Sequence, residues 1–118
     1  MEIIYKKSAV KFLKTAYKKL PDRILKGIEG LTNEPPEGDI KALQGREHVL
    51  RLRIGKYRII YEYSDNNLII LDIDSRSLDP DYTKLTESEL RILEEAKSDN
   101  YTISHEELKS IHTSLFFT

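Results

Sequence analysis

Residues 47–76, EHVLRLRIGKYRIIYEYSDNNLIILDIDSR, read as three consecutive strands joined by two tight turns. In the first, Leu50, Leu52 and Ile54 alternate with Val49, Arg51 and Arg53, the period of two that marks a half-buried strand. Gly55-Lys56 turns the chain into a second strand, with Tyr57, Ile59, Tyr61 and Tyr63 on one face and Arg58, Ile60 and Glu62 on the other. Ser64-Asp65-Asn66-Asn67 is a turn cluster, because Asp and Asn bond their own backbone and tolerate positive φ. The third strand, Leu68 to Ile73, is apolar on both faces and is expected mid-sheet, covered on both sides. Arg51, Arg53 and Arg58 gather around the first hairpin turn and Arg76 closes the third strand. On a surface, where substitution costs little stability, such a group is placed either to hold phosphate or to serve as solvated partners of Glu47 and Glu62.

Working outward, Glu2 to Lys6 is a short opening strand. Ala9, Phe12, Leu13, Ala16, Tyr17 and Leu20 follow at helical spacing, an amphipathic helix begun by Ser8 or the residues just before it. Pro21 suits the first position of a second helix, where its missing N–H would be unpaired in any case, and Ile24, Leu25, Ile28 and Leu31 form that helix's apolar stripe. Asn33-Glu34-Pro35-Pro36 stops it, and a segment around Ile40–Leu43 runs extended toward the sheet. The order β-α-α-β-β-β predicts an α+β fold, a helical hairpin packed on an antiparallel meander.

Beyond Arg76 the texture changes. A loop, Ser77-Leu78-Asp79-Pro80-Asp81, leads to Leu85-Thr86-Glu87-Ser88-Glu89-Leu90, where Thr86 with Glu89 forms a capping box and Leu85 with Leu90 the staple across it. The device recurs at Ile103-Ser104 and Glu107-Leu108, so two helices are expected at about 86–97 and 104–113. Their apolar positions (Leu90, Leu93 and Ala96, then Leu108, Ile111 and Leu115) are too sparse for a core of their own. These helices must lie on the domain, lie on another chain, or stay partly mobile, and the terminal Phe116-Phe117 favours docking. The division is residues 1–84 as the main domain and 85–118 as an acidic two-helix tail.

The 118 residues, 39% of them hydrophobic, suit one small domain with an appendage. There is no cysteine, which excludes disulfides and thiolate metal sites. His48, His105 and His112 form no ligand pattern, so neither metal nor cofactor is expected. Without a leader or an apolar run of membrane-spanning length, the chain is expected to be soluble and cytoplasmic, with no membrane partner. The net charge of −1 hides an asymmetry: 14 basic and 8 acidic residues up to Tyr63, then 5 and 12 from Ser64 onward. A basic front half suits a polyanionic partner, and an acidic back half could compete for the same surface.

The Leu50-Arg51-Leu52-Arg53-Ile54-Gly55-Lys56-Tyr57-Arg58-Ile59-Ile60-Tyr61-Glu62 run, followed by an apolar strand ending in Asp74-Ser75-Arg76, resembles the RelE/ParE toxins of type II toxin–antitoxin pairs. The likeness covers about residues 1–82, and its specific part is 49–76. RelE-type members are ribosome-dependent endoribonucleases that cut mRNA, while ParE-type members share the fold and poison DNA gyrase. The resemblance therefore implies a toxin with a cognate antitoxin, acting as an mRNA interferase on the ribosome, or alternatively as a gyrase inhibitor without chemistry of its own. It implies Arg51, Arg58, Arg76 and Tyr82 as catalytic residues, with Arg53, Lys56 and Arg46 contacting RNA or phosphate. Such chemistry needs the 2′-hydroxyl activated, the phosphoryl charge stabilised and the 5′-oxygen protonated. Arginine serves the middle task, and tyrosine can stack a base or exchange a proton.

The best-known members place lysines where Val49 and Arg51 stand here. Arg51 does not readily give up a proton, so cleavage would be slow, would use Tyr82 or His48, or would be absent. The tail from Leu85 to Thr118, with 3 basic and 7 acidic residues, is similar to the toxin-wrapping region of the antitoxins encoded beside such toxins. That similarity implies a third possibility, a disarmed or self-neutralised toxin acting as an interaction protein. A segment held on a short linker has a high effective concentration at any site it can reach.

Overall fold

The computed structural model describes residues 1–17, 19–75 and 79–116, the side chains of 112–116 excepted. The elements run β1 (Glu2–Tyr5), α1 (Lys7–Thr15), α2 (Leu20–Gly30), β2 (Asp39–Ala42), β3 (Val49–Ile54), β4 (Tyr57–Ser64), β5 (Asn67–Asp74), α3 (Glu87–Ser98), β6 (Ile103–Ser104) and α4 (His105–Phe116). All six strands join one sheet in the order β2-β3-β4-β5-β1-β6. The extended segment after the helical hairpin is thus a strand in its own right, making the meander four strands long. β1 then adds parallel to β5, Ile4 opposite Ile69, because the helical hairpin carries the chain across the sheet before the meander begins. The fold is the α+β arrangement that the sequence implies.

Alternation in β3 and β4 sends Leu52, Ile59 and Tyr61 to one face, where Val10, Leu13, Ile24 and Ile28 of the hairpin close the main core. The opposite face is apolar as well. Val49, Ile60 and Leu71 meet Leu43 and, from α3, Leu93 and Ala96 in a second buried cluster. β5 accordingly lies between β4 and β1 with α1 on one side and α3 on the other, as its two apolar faces require. The β4–β5 turn uses Asp65 and Asn66 at φ 50° and 63°, the left-handed pair that a twisted two-residue hairpin demands.

The first helix is shorter than its apolar spacing predicts. It stops at Thr15, whose hydroxyl donates to the carbonyls of Lys11 at 3.0 Å and Phe12 at 3.3 Å, the latter an oxygen that the next residue of a longer helix would have used. Tyr17, expected in the apolar stripe, is instead 74% exposed, and Leu20 opens α2 with Pro21 beside it. Ser8 does not cap α1; its hydroxyl donates to the Asp72 carboxylate in β5.

After residue 84 both expected helices form. Thr86 and Glu89 make the complete capping box of α3, and Ser104 Oγ accepts from the Glu107 N–H at 3.2 Å in α4. Leu93 packs in the second cluster and Leu108 in the main core. α4 is pinned by His105: the Tyr5 hydroxyl donates to Nδ1 at 2.7 Å, and Nε2 donates to Glu29 at 2.8 Å. Burial raises the Tyr5 pKa, while the His105 hydrogen bond holds Glu29 below the usual carboxylate range. The docking expected of the terminal Phe116-Phe117 falls outside the described side chains. No described helix is long and apolar enough to cross a membrane.

Truncating Leu93 tests how far α3 belongs to the fold. Leu93→Ala should cost about 2–5 kcal/mol, because it hollows a cluster of six buried side chains among the described residues. A fall in the urea midpoint, with faster amide exchange in α3, is the expected result.

Candidate functional site

β3 and β4 deliver three of the anticipated arginines to one end of the sheet. Arg53 pairs across the ladder with Arg58, and Arg58 in turn with Asp74 of β5. Arg51, Arg53 and Arg58 share the face that carries α3 and the segment 79–84. Their environments differ sharply. Arg51 is 1% exposed and Arg58 fully buried, whereas Arg53 lies in solvent. The expectation that Arg51 and Arg58 lie at the surface is therefore corrected: each guanidinium is consumed by internal partners.

Arg51 donates from Nε to the Asp81 carbonyl at 2.7 Å and from Nη1 to Asp39 Oδ1 at 3.1 Å and the Asp39 carbonyl, lacing β2 to the segment between β5 and α3. Arg58 does the larger task. Its Nη1 donates to the carbonyls of Lys84 at 2.8 Å and Tyr82 at 3.4 Å. Its Nη2 donates to Asp74 Oδ2 at 2.7 Å and to Glu89 Oε2. Arg58 Nε and Asp74 Oδ1 are buried without a partner among the described residues. One side chain thus joins β4, β5, the connecting loop and the first turn of α3.

The carboxylates divide their roles. Burial pushes Asp74 up to about 7, against the pull of Arg58. Burial works against ionisation of Glu89 too, but the Thr86 N–H and the Arg58 charge outweigh it and hold Glu89 below its ordinary value. Glu89 is therefore the standing counter-charge to Arg58, whose own pKa is raised because Asp74 and Glu89 overcome the cost of burial. Asp79 shapes the loop: its carboxylate accepts from the N–H of Thr83 at 2.9 Å and of Lys84 at 3.1 Å, and from the Thr83 hydroxyl at 3.0 Å. Those hydrogen bonds, led by the Thr83 amide, hold Asp79 low.

Tyr82 is held at φ 60°, a left-handed backbone that a bulky residue adopts only when its surroundings impose it. The strain places its ring under the Arg53 guanidinium, 4.6 Å from the centroid. Of the other anticipated contacts, Arg46 pairs with Glu94 of α3 at 3.1 Å, and Lys56 sits 5.5 Å above the Tyr57 ring at the hairpin turn. His48, on the exposed loop before β3, also has positive φ, at 62°. Arg76 lies outside the described residues. Among the described residues, no group of three or more histidines or carboxylates is placed to hold a metal ion.

Sequence reasoning missed the partners Asp39, Asp74 and Glu89. The signal for Asp74 was present, since an acid in a strand apolar on both faces needs a buried cation. Glu89 was legible only as a capping residue; it fills both roles, one carboxylate oxygen accepting from Thr86 N at 2.8 Å and the other from Arg58.

Two outcomes follow from this burial. Arg58→Ala should cost about 3 kcal/mol, because it strands two carboxylates, whereas Arg53→Ala should stay within about 0.5 kcal/mol. Chemical denaturation of the two variants separates them. Asp74 holds its proton more tightly folded than unfolded, so its contribution to stability is complete below about pH 4 and lost as pH rises through about 7. The melting temperature of the native chain relative to Asp74→Asn should therefore fall across that window and level off above it.

Residues 3–80 match the family model of the ParE toxin of type II toxin–antitoxin systems, parDE. Similar solved structures include the RelB–RelE antitoxin–toxin complex of Methanococcus jannaschii, 29% identical with a TM-score of 0.53 over 61% of this chain and 88% of that one. The archaeal RelE–RelB complex of Pyrococcus horikoshii OT3 is 30% identical, with a TM-score of 0.51 over 64% of this chain and 93% of that one. The toxin–antitoxin complex RelBE2 of Mycobacterium tuberculosis, at 23% identity and a TM-score of 0.52 over 63% and 95%, is alike in fold alone. No curated protein matches significantly. The family match takes in β1 to β5 and the arginine face and ends before α3. On that sheet, that ladder of arginines and that match, the chain belongs to the RelE/ParE family of type II toxin–antitoxin toxins.

Proposed function

We propose that this toxin arrests translation as a ribosome-dependent mRNA interferase and that its own α3 holds the arginine face closed. The observation that carries the RNA reading is the Arg53–Tyr82 stack, a solvent-facing guanidinium on an aromatic ring, beside the buried Arg58. A ring paired with cations suits a base and its phosphate, a combination that RNA offers and a protein target does not. The observation that carries the closure is Glu89, which contributes a carboxylate to Arg58 from the first turn of α3.

In this reading the 2′-hydroxyl of the message gives up its proton as its oxygen attacks the neighbouring phosphorus, and the departing 5′-oxygen takes a proton up, giving a 2′,3′-cyclic phosphate and a 5′-hydroxyl. Arg58 and Arg76 hold the phosphoryl oxygens as charge gathers on them, joined by Arg51 once the 79–84 segment and Asp39 release it. Tyr82 stacks a base or carries a proton, and Arg53, Lys56 and Arg46 bind the flanking backbone. Glu89 occupies Arg58 from α3, so α3 has to yield before Arg58 can take a phosphate beside its strand neighbour Asp74. A cognate antitoxin is the natural partner, since RelE chains of similar structure are found complexed with RelB. Action on the ribosome places the protein in the cytoplasm. Gyrase inhibition by the same face is the second reading, favoured by the match to the ParE model.

Glu89→Gln keeps a side chain able to cap α3 while removing the charge that answers Arg58. In a translation extract it should raise message cleavage, read by primer extension, about tenfold, the effect of weakening the closed state by ~1.4 kcal/mol. Intact message together with blocked supercoiling by purified gyrase would move the function to the second reading. Cleavage unchanged from the native chain would leave α3 a packing element only.

A further inference from the structure

The cations of the covered face are largely neutralised within the molecule: Arg51 by Asp39, Arg58 by Asp74 and Glu89, Arg46 by Glu94 and Lys41 by Asp81. Positive charge without a carboxylate collects elsewhere, where the turn between α1 and α2 meets the β3–β4 hairpin. A cleft of about 650 Å³ opens there, lined by Tyr17, Lys19, Leu20, Arg23, Lys56 and Tyr57. Among the described residues, no ion pair involves Lys19, Arg23 or Lys56. Asp22, the acid beside Arg23 in sequence, is not among the lining side chains.

The cleft is built as well as charged. Gly55 turns the hairpin at φ 60°, and Arg23 Nη2 lies 3.0 Å from where a Cβ would stand, so the bare glycine lets the guanidinium lie against the turn. The Tyr57 ring is braced edge-on by Phe12, centroids 5.9 Å apart, and carries the Lys56 ammonium 5.5 Å from its centre. Tyr17 stands 74% exposed on the far wall because α1 ended two residues earlier. Arg53, also without a carboxylate partner among the described residues, continues the positive track from the hairpin toward Tyr82 on the other face.

We propose that this corner cleft is a binding site for single-stranded RNA, with Lys19, Arg23 and Lys56 on the phosphodiester backbone and Tyr17 and Tyr57 as base-stacking surfaces. Cations interleaved with aromatic rings grip a strand without reading its sequence. The site is open while α3 covers the arginine face, so the closed protein binds RNA before it can cut. The choice of RNA rests on the proposed interferase activity, but binding is measured without ribosomes or cleavage, so either idea can fail alone.

The test is fluorescence anisotropy of the full chain with a short fluorescein-labelled oligouridine across a salt series. Lys19→Gln, Arg23→Gln and Lys56→Gln should each weaken binding about fivefold at 0.1 M salt and lower the log–log salt slope by about 0.7. Tyr17→Ala should weaken it at least about fivefold with the slope unchanged, since stacking is insensitive to screening. Lys109→Gln, at the other end of α2 beside Glu29, should leave affinity within about twofold. Equal weakening by all the lysine and arginine variants would reduce the effect to net charge and overturn the assignment. So would binding that none of these variants changes, or no measurable binding by the native chain. Should the variants behave as expected while message stays intact in a translation extract, the cleft stands and the interferase reading falls.

Discussion

Arg58 is the constraint on which the arrangement turns. A fully buried guanidinium needs counter-charge and hydrogen-bond acceptors, and here they come from three separate stretches of chain. Asp74 is its ladder neighbour, the carbonyls of Tyr82 and Lys84 fix the loop, and Glu89 fixes the start of α3. The second apolar cluster sits under the same helix, so the polar knot and the greasy seam position α3 together. Neither suffices alone: the seam is small, and an ion pair of this kind gains little over what its burial costs. What the knot contributes is registry, because only one placement of α3 brings Glu89 to Arg58.

Much of the sheet was legible in the sequence because it rests on local rules. Alternation in β3 and β4, the Asp65-Asn66 turn and the two apolar faces of β5 each follow from spacing and side-chain chemistry. Helix starts at Thr86 and Ser104 followed from capping, again a matter of three or four residues. The end of α1 did not, since apolar spacing continued past Thr15 while the backbone turned away. The burial of Arg51 and Arg58 was illegible for a different reason. Alternation assigns them to a face, but whether that face meets water depends on the 79–84 segment and α3, far downstream. Tyr82 shows the same limit: its place in the chain pointed to the site, whereas its left-handed backbone and its stack on Arg53 belong to the loop that Asp79 organises.

Electrostatics divides the molecule differently from the sequence. The linear count sets a basic front against an acidic back, yet folding interleaves them, with Glu89 and Glu94 on α3 reaching Arg58 and Arg46. Neutralisation is therefore local and selective. It quiets one face of the sheet and leaves the helix–hairpin corner cationic. An average such as the net charge of −1 conceals both halves of that result.

The two-residue strand β6 lies antiparallel along β1, Ile4 opposite Ser104 and Tyr5 opposite Ile103. It caps a sheet margin whose free N–H and C=O groups would otherwise recruit another chain. The opposite margin, β2, is four residues long and carries Asp39 and Lys41, charges that discourage pairing. A fragment cut back to the family-like portion would lose β6 and α3 together, baring both the β1 margin and the apolar seam of Val49, Ile60 and Leu71. Poor growth or precipitation of cells making such a fragment would then reflect self-association as readily as catalysis. Point substitutions in the intact chain, which keep the margin sealed, are the sounder way to separate poison from aggregate.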